Sequence, residues 1–218
     1  MRRADLTDAA YQAALSDWEH ERPAAPLPAL FRHRALDAFT RAPPWAPYLL
    51  AGPLLAVSLY LGLQDPWDGL AALGAFSCGA LIWSLLEYLL HRFFFHARVT
   101  SETGRIAVFL AHGHHHATPM DRMRLVAPPL QMTSALLLLF GICDLAFDGG
   151  ALWFAFAGSI AAYLAYEWIH HAIHHGREGL GLLRAVRRHH LAHHHVDARS
   201  RWGISSPLWD LIFRTARR

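Results

Sequence analysis

The chain has 218 residues, 54% of them hydrophobic and only 17% charged, a balance that excludes an ordinary soluble domain. The formal charge is a modest +3, and the basic residues lack the interleaved aromatics or recognisable motif of a nucleic-acid module. Two cysteines, Cys78 and Cys143, both sit inside apolar runs, which excludes a disulfide framework and offers no metal-ligand spacing.

In chain order, the opening Met-Arg-Arg leads to Asp5, Asp8 and Gln12 rather than an apolar stretch, so no cleaved signal peptide is expected. Leu6 to Trp18 reads as a short amphipathic helix ended by Pro23, Pro26 and Pro28. Leu30 to Phe39 mixes Leu30, Phe31, Leu36 and Phe39 with Arg32, His33 and Arg34, the pattern of a helix lying in a membrane interface. A flexible tail is the plainer alternative. Residues 1–45 are therefore expected to form an N-terminal cytoplasmic or interfacial segment.

Four later segments meet the roughly 20 apolar residues that a helix needs to cross a bilayer. They cover roughly 46–63, 70–90, 126–147 and 151–169. Pro47 and Pro53 are expected to bend the first, and Pro128 and Pro129 suit the opening turn of the third. All 20 basic residues are arginines: six precede the first span, five separate the second from the third, and nine follow the fourth. The short connectors carry Asp65, Asp68 and Asp148 and no arginine. By the positive-inside rule both termini and the long middle loop face the cytoplasm. The expected fold is an all-α integral membrane protein, with four transmembrane helices and a cytoplasmic, His-rich helical cap. Residues 46–218 would form its membrane domain, with 170–218 as the C-terminal part of the cap. An arginine-only, alanine-rich composition points to a GC-rich bacterium, and so to the bacterial inner membrane.

Ten of the 17 histidines fall in four clusters: His91 and His96; His112, His115 and His116; His170 and His174; His190, His193 and His194. All lie at or beyond span ends on the expected cytoplasmic side. Imidazole is the commonest metal ligand among side chains, and ten exceed what one ion needs, so two metal ions are expected. Positions i, i+3 and i+4 share a helix face, so each of the last three clusters can aim its rings at one point. His91 and His96, five apart, are less well aligned, and their spacing does not decide whether they serve one metal or two. His114, His171, His175, His189 and His195 face elsewhere on regular helices. His20 and His33 read as solvent or headgroup contacts.

Nitrogen ligands suit iron, zinc or copper. Iron would support oxidative chemistry with dioxygen, whereas zinc could fill the same ligands without it. Glu87 and Glu167, a turn before His91 and His170, are expected to stand behind the ligand rings as hydrogen-bond partners. Asp121, Asp197 and Asp210 are weaker candidates. Trp83, Phe93, Phe94, Phe95 and Trp168 could line a lipid path or simply pack, and Leu208 and Trp209 could anchor the cap to the membrane. A metal transporter or sensor is disfavoured because its ligands should lie near mid-bilayer. A zinc-dependent lipid hydrolase lacks an H-E-x-x-H motif to support it.

The stretches EYLLHRFFFH (87–96), HGHHHATPMDRMRLVAPP (112–129), YEWIHHAIHHG (166–176), HHLAHHH (189–195) and GISSPLWDLIFRT (203–215) resemble the fatty acid hydroxylase superfamily of membrane di-iron proteins. Within it the likeness is greatest to fatty acid 2-hydroxylases acting on sphingolipid acyl chains. Non-ligand elements agree too, including Pro-Met-Asp, Arg-Leu-x-x-Pro-Pro and the closing Trp-Asp-x-x-Phe-x-Thr. The resemblance implies a dioxygen-dependent enzyme that hydroxylates an acyl chain at the carbon next to its carbonyl. Desaturation, or hydroxylation of a sterol or carotenoid, is the related alternative. It places the ligands of two irons on His91, His96, His112, His115, His116, His170, His174, His190, His193 and His194. Some members carry a fused b-type haem domain. None is expected in the short N-terminal segment, so a separate electron donor, a b-type cytochrome or a ferredoxin-like reductase, is implied. Tyr166-Glu167 stands where eukaryotic relatives usually have Tyr-Asp, which keeps a carboxylate in the same place.

Overall fold

The computed structural model describes residues 3–19, 27, 29–66, 68–176, 181 and 183–216. Among these residues all regular structure is helical, apart from one isolated antiparallel bridge between Leu6 and Phe31. Helix α1 spans Asp8–Leu15, and the Thr7 hydroxyl accepts the Ala10 N–H to open it. Helix α2 is the short Arg34–Ala38. The four expected apolar segments follow the predicted order: α3 (Ala46–Gly62), α4 (Gly69–Leu89), α7 (Pro129–Ala146) and α8 (Gly149–His175), with α5 (Glu102–Val108) and α6 (His114–Ala117) in the middle loop. Helices α9 (Leu183–His195) and α10 (Leu208–Ile212) close the chain. His20, Pro23, Pro26 and Pro28 lie outside the described residues.

Three of the apolar helices, at Gly69–Phe95, Pro129–Ala146 and Gly149–His175, are long and apolar enough to cross a membrane; α3 is a shorter apolar helix of 17 residues. The boundaries follow local chemistry. Asp68 caps α4 through the Leu70 N–H. Pro128 and Pro129 open α7, where a missing N–H costs little. The outer faces invert the soluble pattern: Leu130 and Leu145 are 76% and 90% exposed.

Helix α8 is the hub. Ala155, Phe156, Ile160 and Tyr163 pack against Trp83 of α4, Ala51 of α3, and Met132, Leu136, Leu139 and Cys143 of α7. Its approach to α4 is close enough to require glycine. A Cβ on Gly79 would lie 1.7 Å from the Ala155 carbonyl oxygen, and one on Gly158 would lie 1.9 Å from that of Phe76. Small residues that let backbones meet in this way drive helix pairing in lipid. The Ser159 hydroxyl donates across the seam to the Gly79 carbonyl at 2.9 Å.

The N-terminal segment is docked onto protein. Leu6, Ala10, Tyr11, Leu30 and Phe31 form a second core with Ile106 and Phe109. The interfacial helix expected from Leu30 to Phe39 is reduced to α2, because Leu30 and Phe31 turn inward while Leu36 and Phe39 stay exposed. Asp37 fixes that turn. It accepts the Leu30 and Phe31 N–H groups and pairs with Arg41 and with the buried Arg124 at 3.0 Å. Burial pushes the Asp37 carboxyl up, but these donors and the guanidinium outweigh it and hold it below its ordinary range. Arg124 also binds Asp121 at 2.8 Å. Asp121 therefore belongs to this arginine-centred scaffold.

Candidate metal centre

The ten clustered histidines are all buried and converge as two groups of five. Group 1 contains His91, His96, His112, His116 and His193; group 2 contains His115, His170, His174, His190 and His194, and in each the candidate ligand atoms lie within 4.8 Å of one another. In group 1 neighbouring Nε2 atoms are 3.1–3.3 Å apart, as for His96 with His116 and His193. In group 2 they are 3.0–3.1 Å apart, as for His194 with His190 and His170 with His115.

Helix geometry explains the membership. Residues i and i+4 stay nearly in line, while i+3 falls to the other side of that line. Accordingly His112 and His116 go to group 1 and His115 to group 2, while His190 and His194 go to group 2 and His193 to group 1. The expectation that each cluster aims at one point therefore fails for the two three-histidine clusters, which straddle both groups. His170 and His174 share group 2. The open question of His91 and His96 is answered by a π-helical turn over Leu90–Phe95, in which the His96 N–H bonds to the His91 carbonyl five residues back at 3.2 Å. An i+5 repeat is the period of a π-helix, so both rings join one group. A second π-helical turn, Phe109–Gly113, delivers His112.

Outer hydrogen bonds set the ring tautomers in group 1. His91 Nδ1 donates to the Trp202 carbonyl at 2.5 Å, His193 Nδ1 to that of Ser200 at 2.7 Å, and His96 Nδ1 to Glu19 at 2.9 Å. A neutral imidazole has one N–H, so these bonds leave lone pairs on all three Nε2 atoms. Those of His96 and His193 face each other at 3.3 Å with no proton between them, and His91 Nε2 is buried without a hydrogen-bond partner. Converging buried acceptors repel one another unless a cation sits among them, so the donor set fits a metal ion. Outside the apolar helices, His96, His112, His115, His116, His190, His193 and His194 are all held well below the ordinary imidazole range, by burial first and by neighbouring imidazoles second. They are therefore neutral at pH 7, the form that binds metal.

Glu87 and Glu167 act differently from expectation. Glu87 accepts the Ile204 and Ser205 N–H groups at 2.7 and 2.8 Å and the Ser205 hydroxyl. Glu167 accepts from the Tyr163 hydroxyl at 2.7 Å and the Ala127 N–H at 3.2 Å. Both clamp backbone beside the centre; the expected place behind a ring is taken by Trp202, Ser200 and Glu19. Sequence reasoning missed Glu19 because it treated the N-terminal segment as peripheral. Asp210 accepts the Trp202 and Gly203 N–H groups, the Thr215 hydroxyl and His189 Nε2, and so shapes the loop that offers the Trp202 carbonyl. Asp197 caps the turn at Arg199. Trp209 donates to Ser84 at 3.0 Å, and Leu208 is exposed.

Among the described residues, the other histidines stay outside both groups. His114 Nδ1 meets the Phe109 carbonyl, and His33 is an exposed cap residue of α2. Group 1 lies between two cavities. An apolar one of about 190 Å³ is lined by Trp83, His91, Phe94, Phe95, Leu138 and Tyr163. A polar one of about 650 Å³ is lined by Glu19, Arg92, Phe93, His96, Arg199 and Trp202. Of the aromatics expected to line a lipid path, Trp83, Phe94 and Phe95 face the apolar cavity, Phe93 faces the polar one, and Trp168 is 53% exposed.

The fatty acid hydroxylase family model matches residues 76–215. The chain is 31% identical to the fatty acid 2-hydroxylase of Rattus norvegicus over 91% of its own length and 59% of the rat protein's. It is 35% identical to the human fatty acid 2-hydroxylase over 65% of its length and 39% of that protein's. It is 34% identical to the dihydroceramide fatty acyl 2-hydroxylase FAH2 of Arabidopsis thaliana, over 86% and 79%. Thus the chain spans well under two thirds of the length of the mammalian relatives. A solved structure, full-length scs7p with only the hydroxylase domain visible, superposes with a TM-score of 0.84 at 27% identity, covering 98% of this chain and 80% of that one.

Proposed function

The chain belongs to the fatty acid hydroxylase family, and on that premise we propose that it is an integral membrane oxygenase that hydroxylates a lipid acyl chain, at the 2-position of the acyl group. The observation that carries this reading is the adjacency of one buried five-imidazole group to an apolar cavity that His91 lines. An acyl chain lying along Trp83, Phe94 and Leu138 would bring one carbon to group 1 while the walls exclude water. His91, His96, His112, His116 and His193 would hold one metal, and His115, His170, His174, His190 and His194 the other. Iron in both groups would supply the redox chemistry for dioxygen. The chain's own contribution is positional: the Trp202, Ser200 and Glu19 acceptors keep protons on Nδ1 and lone pairs on Nε2 of three rings.

The membrane arrangement follows the arginines. With α3 at the short limit of a crossing, four spans leave every arginine-rich segment and every histidine cluster on the cytoplasmic side, in a bacterial inner membrane. Residues 1–45 would be a cytoplasmic segment and 46–218 the membrane hydroxylase domain. Electrons would come from a separate donor of the b-type cytochrome or ferredoxin-like class.

The test is expression in iron-supplied membranes with a generic electron donor, followed by mass spectrometry of the lipids. A gain of one oxygen, placed on carbon 2 by fragmentation and lost in His115→Ala, is expected. An unchanged lipid profile from metal-loaded protein that the donor demonstrably reduces overturns the proposal.

A further inference from the structure

The two histidine groups are not supported alike. Among the described residues, group 1 has two rings backed by carbonyls, His91 and His193, and one backed by a carboxylate, His96. In group 2, Nδ1 of His170, His190 and His194 is buried without a hydrogen-bond partner. The carboxylate comes from Glu19, outside the 76–215 stretch that carries the histidines. Its second oxygen is held by Arg199 Nε at 3.1 Å. The adjacent Trp18 packs its ring 5.5 Å from those of both His96 and His116. Gly113 leaves room for that indole, since a Cβ there would stand 2.7 Å from Trp18 Cε2. Helix α1 is locked behind it by Leu6, Ala10 and Ala14 packing with Ile106 and Phe109. The N-terminal segment is therefore a wall of group 1. A carboxylate behind an imidazole fixes its tautomer and orientation and makes the opposite nitrogen a more basic ligand.

We propose that Glu19 is a positioning residue that orients His96 and makes group 1 the tighter of two unequal metal sites. This rests on the two-metal reading above. The full chain, purified and loaded with zinc as a redox-silent probe, would be titrated with a chelator and its metal content counted. The parent is expected to lose one equivalent well before the other. Glu19→Ala is expected to surrender the tighter equivalent at a chelator strength lower by a factor of about 10–100. In Glu19→Gln the amide oxygen still accepts the Nδ1–H, so its profile should fall between the two. The thermal midpoint of the metal-free protein should be the same for all three. A Glu19→Ala profile identical to the parent's overturns the proposal, and so does a fall in the metal-free midpoint that accounts for the lost metal by unfolding. Two equivalents leaving the parent in a single step also overturn it. A parent that never holds two equivalents overturns the two-metal reading itself, a distinct result from a parent with two equivalents and an unaffected Glu19→Ala.

Discussion

The fate of one proton on each ring governs this centre. When Nδ1–H is committed to a carbonyl or carboxylate, Nε2 must find a cation or remain an unmatched acceptor, a costly state in a buried place. The same logic separates neighbours in sequence. His112 and His115 are three residues apart yet belong to different groups. His112→Ala should lower the metal held by group 1 and leave group 2 filled, and His115→Ala should do the reverse. Metal counting on both single variants and the double variant checks this. Additive loss, one equivalent each and two together, is expected; if both single variants lost the same equivalent, the division into groups would be wrong. At this scale the ligand candidates were legible from residue type and spacing alone. Their carboxylate partner was not, because Glu19 lies 77 residues before His96 and nothing local marks it. Glu87 and Glu167 were conspicuous as charges near the ends of apolar runs, but the Ile204 and Ala127 N–H groups they accept are brought near only by the folded chain.

Helices α4 and α8 set the distance between the groups, since α4 leads into His91 and α8 carries His170 and His174. Both apolar helices run for 27 residues counting the π-turn after α4, about 40 Å at about 1.5 Å per residue. That exceeds a hydrocarbon core of about 30 Å, so the last turns can project beyond it with their histidines. Their mutual registry rests on the Gly79–Gly158 crossing. Gly158→Ala should therefore force the helices apart, costing about 1–3 kcal/mol as overpacking does and reducing metal content. Gly74→Ala is the control, because nothing lies within 4 Å of a Cβ there. Thermal unfolding in detergent reads both; equal midpoints would mean that the crossing does not hold the registry. The order and approximate limits of the four apolar helices were readable from apolar length, and three of them are long enough to cross a membrane. The π-turn was not, since a sequence pattern assumes one helical period and His91-x4-His96 fits the α-helical one poorly.

For the molecule as a whole, seven buried imidazoles outside the spans share one pH response. Their folded-state affinity for protons is depressed below that of an unfolded chain, where imidazole titrates near about pH 6.5. Stability from keeping them neutral is complete above that value. It drains away as pH falls below it toward the folded-state values, because the unfolded chain binds more protons. The metal-free protein should therefore lose thermal stability steeply between about pH 6.5 and about pH 5. The metal-loaded protein should hold to lower pH, since an ion competes with protons for the same nitrogens. Thermal scans of both forms across that range check this, and a flat metal-free profile would sink it.

Composition, apolar length, arginine bias and histidine spacing fix a helical chain with membrane-length apolar helices and ten candidate ligands, because each of these is a local property written along the chain. Which ligand joins which group, which carbonyls and carboxylate stand behind the rings, and that α1 walls the centre were decided only by tertiary structure. Those assignments depend on helix phase, on two π-turns and on contacts between residues as far apart as Glu19 and Arg199. Long-range proximity of that kind leaves no periodic trace in a sequence.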